Sequence, residues 1–153
     1  MTVWKPHVTV AAIAVRDARF LIVEERVEGQ LVYNQPAGHL DPGESLIDAV
    51  VRETREETAW TFQPDALVGI QLWHHPVNGE TYLRFSFCGH CHAHDTAQPL
   101  DAGITQALWL SHDELTANPQ KMRSPMVLRS IEDYLTGKRY SLDMLDHLSA
   151  DIG

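Results

Sequence analysis

The chain has 153 residues, enough to bury a real core in one domain spanning 1–153, and its charged residues are interspersed among 44% apolar ones, which excludes a disordered class. A formal net charge of -9 excludes nonspecific nucleic-acid binding, which needs a basic stripe; a small anionic substrate stays possible if a divalent cation supplies positive charge locally. No apolar run approaches the ~20 residues that cross a bilayer, and two cysteines are too few for a disulfide scaffold, so a reducing cytoplasm is expected.

Residues 8–15 are apolar and β-branched. Within them Ala12-Ile13-Ala14 mimics a signal-peptide cleavage site, but only Lys5 precedes a short run, and a first core strand is the reading adopted. Residues 20–25 form a second strand, joined to the first by Arg16-Asp17-Ala18-Arg19 as a hairpin. A short third strand, 31–33, leads into the turn-rich loop Asn34-Gln35-Pro36-Ala37-Gly38, and Asp41-Pro42-Gly43 turns the chain into a helix over 45–58. Leu46, Ala49 and Val50 give that helix an apolar stripe. Strands follow at 66–73, 82–92 and 106–110. Ser111-His112-Asp113-Glu114 is a capping box that starts a short helix, and Ser124-Pro125 opens a last helix with Gly137 just past its end. Strands, helix, strands, helices in that order predict an α+β or α/β fold with a mixed sheet.

The chemistry-bearing stretch is 38–60, with Glu44, Arg52-Glu53 and Glu56-Glu57. At ~100° per residue, Glu56 and Glu57 lie at about -60° and about +40° from Glu53, so three carboxylates share one helix face. Like charges four apart repel, and acids near a helix C-terminus oppose the macrodipole. Arg52 and Arg55 offset only part of this, so the arrangement predicts a bound cation; hard carboxylate oxygens suit Mg²⁺ or Mn²⁺. A solvated acidic helix face is the competing reading.

Gly38, five residues, Glu44, seven residues, Arg52-Glu53, two residues, Glu56-Glu57 resembles the Nudix box. The resemblance implies a loop–helix–loop on an α/β/α sandwich that hydrolyses a phosphoanhydride bond with divalent metal. By position it implies Glu53 and Glu57 as direct metal ligands, Glu56 binding metal directly or through water, and a backbone carbonyl near Gly38 completing the set. Glu44 and Arg52 would tie helix to loop. Two positions depart from the pattern: Thr54 replaces an aliphatic residue, and Ala59 replaces a glycine, so the helix end is expected to close differently.

Lys5-Pro6-His7-Val8-Thr9-Val10, Asn34 through Leu40, Arg123-Ser124-Pro125 and Gly137-Lys138-Arg139-Tyr140 are similar to the NudJ-type phosphatases of that family. This implies release of orthophosphate from nucleoside di- and triphosphates or from thiamine-precursor pyrophosphates. ADP-ribose or nucleotide-sugar hydrolysis, or a non-catalytic nucleotide-binding module, are the alternatives. No membrane, nucleic-acid polymer or obligate protein partner is implied. Asp101 is the nearest candidate for a further carboxylate, because Gly103 stands where the family places one, and Asp95 is more distant. Glu53, Glu56 and Asp101 are candidate general bases. Tyr33, Trp73, Tyr82 and Phe85 are candidates for lining a base pocket, Arg84 for reaching phosphate, and Asp101 for a further substrate contact.

Cys88-Gly89-His90-Cys91-His92 spells a haem-attachment or zinc-like pattern, with His74, His75 and His94 near in sequence. On a strand, residues three apart point to opposite faces, so Cys88 and Cys91 are expected to be structural.

Overall fold

A computed structural model of the chain describes residues 1–149. Strands β1 (His7–Arg16), β2 (Arg19–Val27), β3 (Gln30–Asn34) and β4 (Ala37–His39) precede helix α1 (Leu46–Thr58). Then come β5 (Trp60–His74), β6 (Thr81–His94), β7 (Ile104–Ser111), α2 (His112–Thr116) and α3 (Pro125–Leu135), with 3-10 turns at Pro119–Lys121 and Leu142–Met144. Among the described residues no helix is long and apolar enough to cross a membrane.

The sheet is mixed. β1 runs parallel to β6 from His7 to Ala14, while β6 pairs antiparallel with β5 and β1 pairs antiparallel with β4. β2 joins β1 through the hairpin and pairs antiparallel with both β3 and β7. Asp17 and Ala18 hold φ of 50° and 59°, the double left-handed conformation that a two-residue hairpin matching strand twist requires.

Alternation along β1 sends Val10, Ala12 and Ala14 to one face and Ile13 to the other. The first face packs with Leu21, Phe62 and Phe87 under Ala49 and Val50 of α1. The second packs with Phe20, Ile22, Val68 and Cys88 against Leu115 of α2 and Ile131 of α3. Two apolar sheet faces, each covered by helix, make the α/β/α sandwich. Cys88 lies in the second cluster and Cys91 in the first, on opposite faces of β6.

The structure adds to the sequence reading or departs from it at several places. Residues 37–39 form β4 rather than loop, because Ala37, Gly38 and His39 pair with Ala11, Val10 and Thr9. β5 and β6 run longer than 66–73 and 82–92, because their mutual pairing continues to Trp60 and His94. The end of α1 closes in the left-handed manner after all: Ala59 has φ 62°, and its N–H donates to the Arg55 carbonyl at 2.9 Å. Left-handed alanine costs about 1 kcal/mol, which burial of its methyl at 4% exposure helps offset. Thr54 is fully buried in place of an aliphatic residue, since its hydroxyl donates to the Val50 carbonyl at 2.7 Å and is left with no unmet donor.

Candidate active site

The Ser45 hydroxyl caps α1 by accepting from the Asp48 N–H at 3.0 Å. One residue before that cap, Glu44 accepts the Asp41 N–H at 2.8 Å and two bonds from Arg52, Nε at 2.9 Å and Nη2 at 2.7 Å. This is the bidentate arrangement in which a guanidinium binds a carboxylate most strongly. The Arg52 hydrogen bonds hold Glu44 below the usual carboxylate range, and Glu44 in turn raises Arg52. Arg52 also donates to Glu53 at 2.9 Å, to Glu56 at 3.1 Å and to the His39 carbonyl at 3.0 Å. One side chain therefore ties α1, β4 and the loop between them together.

Oxygens of Glu53, Glu56 and Asp101 lie within 4.8 Å of one another. Asp101 comes from a distant loop and is fixed there because its N–H donates to the Glu56 carbonyl at 3.1 Å. The turn it opens closes through left-handed Gly103, φ 92°, with Ile104 N–H on the Asp101 carbonyl at 3.1 Å. Asp101, expected also as a substrate contact, sits in this acidic trio and is not among the residues that line the neighbouring cavity. Burial raises the Glu53 carboxyl above its ordinary range, against the pull of Arg52.

Glu57 stands apart from the trio. Its Oε1 accepts the Ala37 N–H at 2.8 Å, and burial, with Glu53, Glu25 and Asp101 adding like charge, pushes it up to about 8. A carboxyl raised by burial and like charge in a cleft is a candidate functional group.

Glu53 and Glu57 open into a cavity of about 610 Å³ whose lining includes Gly38, His39, Arg84, Arg123, Trp73 and Tyr82. Arg84 is 4% exposed. One of its terminal nitrogens donates to the Gln35 carboxamide and to Asn34 at 3.3 Å, while its Nε has no partner. Burial lowers it to about 10, with the Glu57 charge working the other way.

Trp73, Tyr82 and Arg84 line this cavity; Tyr33 and Phe85 do not. The reason is strand alternation. Asn34 and Arg84 face the cavity, so Tyr33 turns to the second core cluster, with Lys121 5.4 Å from its ring centre, and Phe85 turns to the first. Sequence reasoning missed Glu25, His75, Asn78 and Arg123 as lining residues. Arg123 lies 2.7 Å from Glu25. A carboxylate continuing an apolar strand was the available signal for Glu25.

Gly38 has no room for a side chain: a Cβ there would overlap the carboxylate of Glu53. The obstacle is the end of a flexible side chain, so the fold can absorb it by moving Glu53. Gly38→Ala should keep the thermal midpoint within a few degrees and lower kcat about tenfold or more, read by parallel melting and steady-state assays.

A NUDIX domain profile matches residues 5–129. Phosphatase NudJ from Escherichia coli (strain K12) is 39% identical over 142 residues, covering 93% of this chain and 92% of that one. A NUDIX hydrolase from Nitrosomonas europaea superposes with a TM-score of 0.94 at 48% identity, covering 96% of this chain and 100% of that one. A MutT NUDIX hydrolase from Burkholderia pseudomallei, 22% identical over 85% of this chain and 98% of its own, shares the fold at a TM-score of 0.72.

Proposed function

Because the chain belongs to the Nudix hydrolase family, an enzyme family that hydrolyses phosphoanhydride bonds of nucleotide derivatives, we propose that it is a phosphatase releasing orthophosphate from nucleoside di- and triphosphates or thiamine-precursor pyrophosphates. The observation that carries this reading is that Glu53 and Glu57, the Arg84 and Arg123 guanidiniums and the Trp73 and Tyr82 rings all line one cavity. The 39% identity to a protein named as a phosphatase supports it.

The donor set fits Mg²⁺ or Mn²⁺: the oxygens that converge are hard carboxylates, and Arg52 donates to both Glu53 and Glu56. Glu53, Glu56 and Glu57, with a backbone carbonyl near Gly38, would hold the ion. When bound, the ion supplies Lewis acidity toward phosphate oxygens and water. Glu44 and Arg52 hold the loop in register with α1. Glu53, Glu56 or Asp101 would accept the proton of the attacking water, and Arg84 and Arg123 would hold phosphate oxygens.

The test is phosphate release by purified protein with Mg²⁺ on nucleoside di- and triphosphates, nucleotide sugars, ADP-ribose and thiamine-related pyrophosphates, each with and without added inorganic pyrophosphatase. Orthophosphate without the added enzyme supports the phosphatase. Signal only after its addition moves the cleaved bond. No turnover on any compound overturns the proposal.

Metal should also couple to pH through Glu57. Its carboxyl rises from the ordinary 4.5 to about 8 in the metal-free fold, so the folded state holds a proton that the unfolded state has lost between those values. Stability is therefore fully present below about 4.5 and falls as pH rises toward about 8. A cation that takes the ionised form reverses the loss. The thermal midpoint gained on adding Mg²⁺ should be larger at pH 8 than at pH 6, and chelation should remove the gain. Equal gains at both pH values would contradict the assignment of Glu57.

A further inference from the structure

We infer that Gln35 is a positioning residue: its carboxamide clamps the Arg84 guanidinium to the first turn of α3, and so holds it on the cavity wall and off the Glu57 carboxylate. This rests on the reading above, in which Arg84 holds phosphate and Glu57 holds the cation. It adds the residue that keeps those two apart.

The backbone of Gln35 is fixed on both sides. Asn34 closes β3 opposite Val23, Pro36 accepts the Ala12 N–H at 2.9 Å, and Ala37 pairs with Ala11. A residue before proline is also confined to extended backbone. The side chain therefore leaves from a set point, and at 1% exposure it lies wholly inside. Burying a carboxamide is unfavourable unless its donor and its acceptor are both bonded. Here they are: Nε2 donates to the Val127 carbonyl at 2.8 Å, and Oε1 accepts from Nη2 of Arg84. Neither partner permits the reverse orientation, since a carbonyl only accepts and a guanidinium only donates. The carboxamide is a strut of one polarity between α3 and β6.

The group it holds would otherwise move. Arg84 is long and flexible, and the carboxylates of Glu57 and Glu25 both attract it, Glu57 the more strongly. All three line one cavity. Nη2 has two hydrogens in the guanidinium plane, and Gln35 and Asn34, the latter at 3.3 Å, both accept from that nitrogen. Two acceptors on one nitrogen set the direction of the plane as well as its place, and they leave Nε without a partner. Released from Gln35, the guanidinium can pair with Glu57, and an arginine bonded to that carboxylate competes with a cation for it. The same short segment also places the second guanidinium, because the Arg123 N–H donates to the Tyr33 carbonyl at 2.8 Å. Tyr33, Asn34 and Gln35 thus set Arg123 and Arg84 relative to each other, one through the backbone and the other through side chains.

The test is a double-mutant cycle of Gln35→Met and Arg84→Met. Methionine keeps the length of glutamine and removes both bonds, while the Val127 carbonyl keeps its place in the helix ladder. Two readouts are taken at pH 8. One is the Mg²⁺ concentration that gives half of the gain in thermal midpoint, which needs no turnover. The other is KM and kcat at saturating Mg²⁺ on the compound of the panel that is turned over fastest. Gln35→Met should raise the Mg²⁺ half-point about threefold or more and KM about tenfold, with kcat within about twofold of wild type. In the Arg84→Met background the same change should move either readout by less than about twofold, because no guanidinium is left to position. An equal effect in both backgrounds, or no effect in the first, overturns the inference. Asn34→Ala removes the other acceptor from a half-buried position and should move both readouts in the same direction. If Gln35→Met does not fold, Asn34→Ala decides, and unmoved readouts overturn the inference. If no compound turns over, the phosphatase reading falls and the Mg²⁺ half-point alone decides the role of Gln35.

Discussion

Glu57→Gln should lower kcat by about two orders of magnitude or more while leaving the fold intact. Glutamine keeps the size of the side chain and an oxygen that can still accept the Ala37 N–H, the bond now made at 2.8 Å. What it removes is the charge. In the metal-free fold Glu57 resists ionisation, being pushed up to about 8 by burial first and by neighbouring carboxylates after it. A neutral isostere is therefore a good occupant of the folded protein and a poor one for a cation site. The expected signature is a thermal midpoint in chelator at pH 8 no lower than wild type, a smaller midpoint gain on adding Mg²⁺, and lost turnover. A near-normal rate would remove Glu57 from the metal site and leave Glu53, Glu56 and Asp101 as the set. A collapsed midpoint would mean that the residue serves folding instead.

The helix and its caps were legible because their signals are local. Ser111 and Ser124 each cap the helix that the sequence placed after them, and Ser45, read as the first residue of α1, is its cap. The acidic face of α1 was legible for the same reason, since residues three and four apart must share it. The convergence of Asp101 was only partly legible: a hydrogen bond to the Glu56 carbonyl, 45 positions away in sequence, fixes it, and no local pattern encodes that. Tyr33 was misjudged because aromatic character on a strand does not say which face it occupies. Register decides that, and register is set by pairing with β2, Tyr33 opposite Glu24 and Asn34 opposite Val23. The left-handed Ala59 shows local preference overruled by burial. The departure from glycine was visible, but the packing that holds alanine in place was not.

Gly89→Ala should do the reverse of Gly38→Ala, destabilising the fold while sparing the chemistry. Gly89 sits in β6 between Ala14 of β1 and Pro64 of β5. A Cβ there would overlap the backbone carbonyl oxygen of Gln63 and press on the Phe62 ring. At Gly38 the obstacle is the tip of Glu53, which can swing away. At Gly89 it is main chain, locked in the β5–β6 ladder next to an irregular register between Pro64 and Ala66. Phe62 is itself 2% exposed in the core under α1, so relief requires moving both the strand and the packing beneath it. Overpacking of this kind costs about 3 kcal/mol or more, which for a chain of this size is a fall of roughly 6–12 °C in Tm. Gly89 lies seven residues along β6 from Tyr82 on the cavity wall, a separation on the order of 20 Å. Molecules still folded at low temperature should therefore turn over at close to the wild-type rate per folded active site. A stable Gly89→Ala protein would mean that β5 can slide past β6 at Pro64. An inactive but stable one would mean that the β5–β6 pairing passes strain to the cavity from its far end.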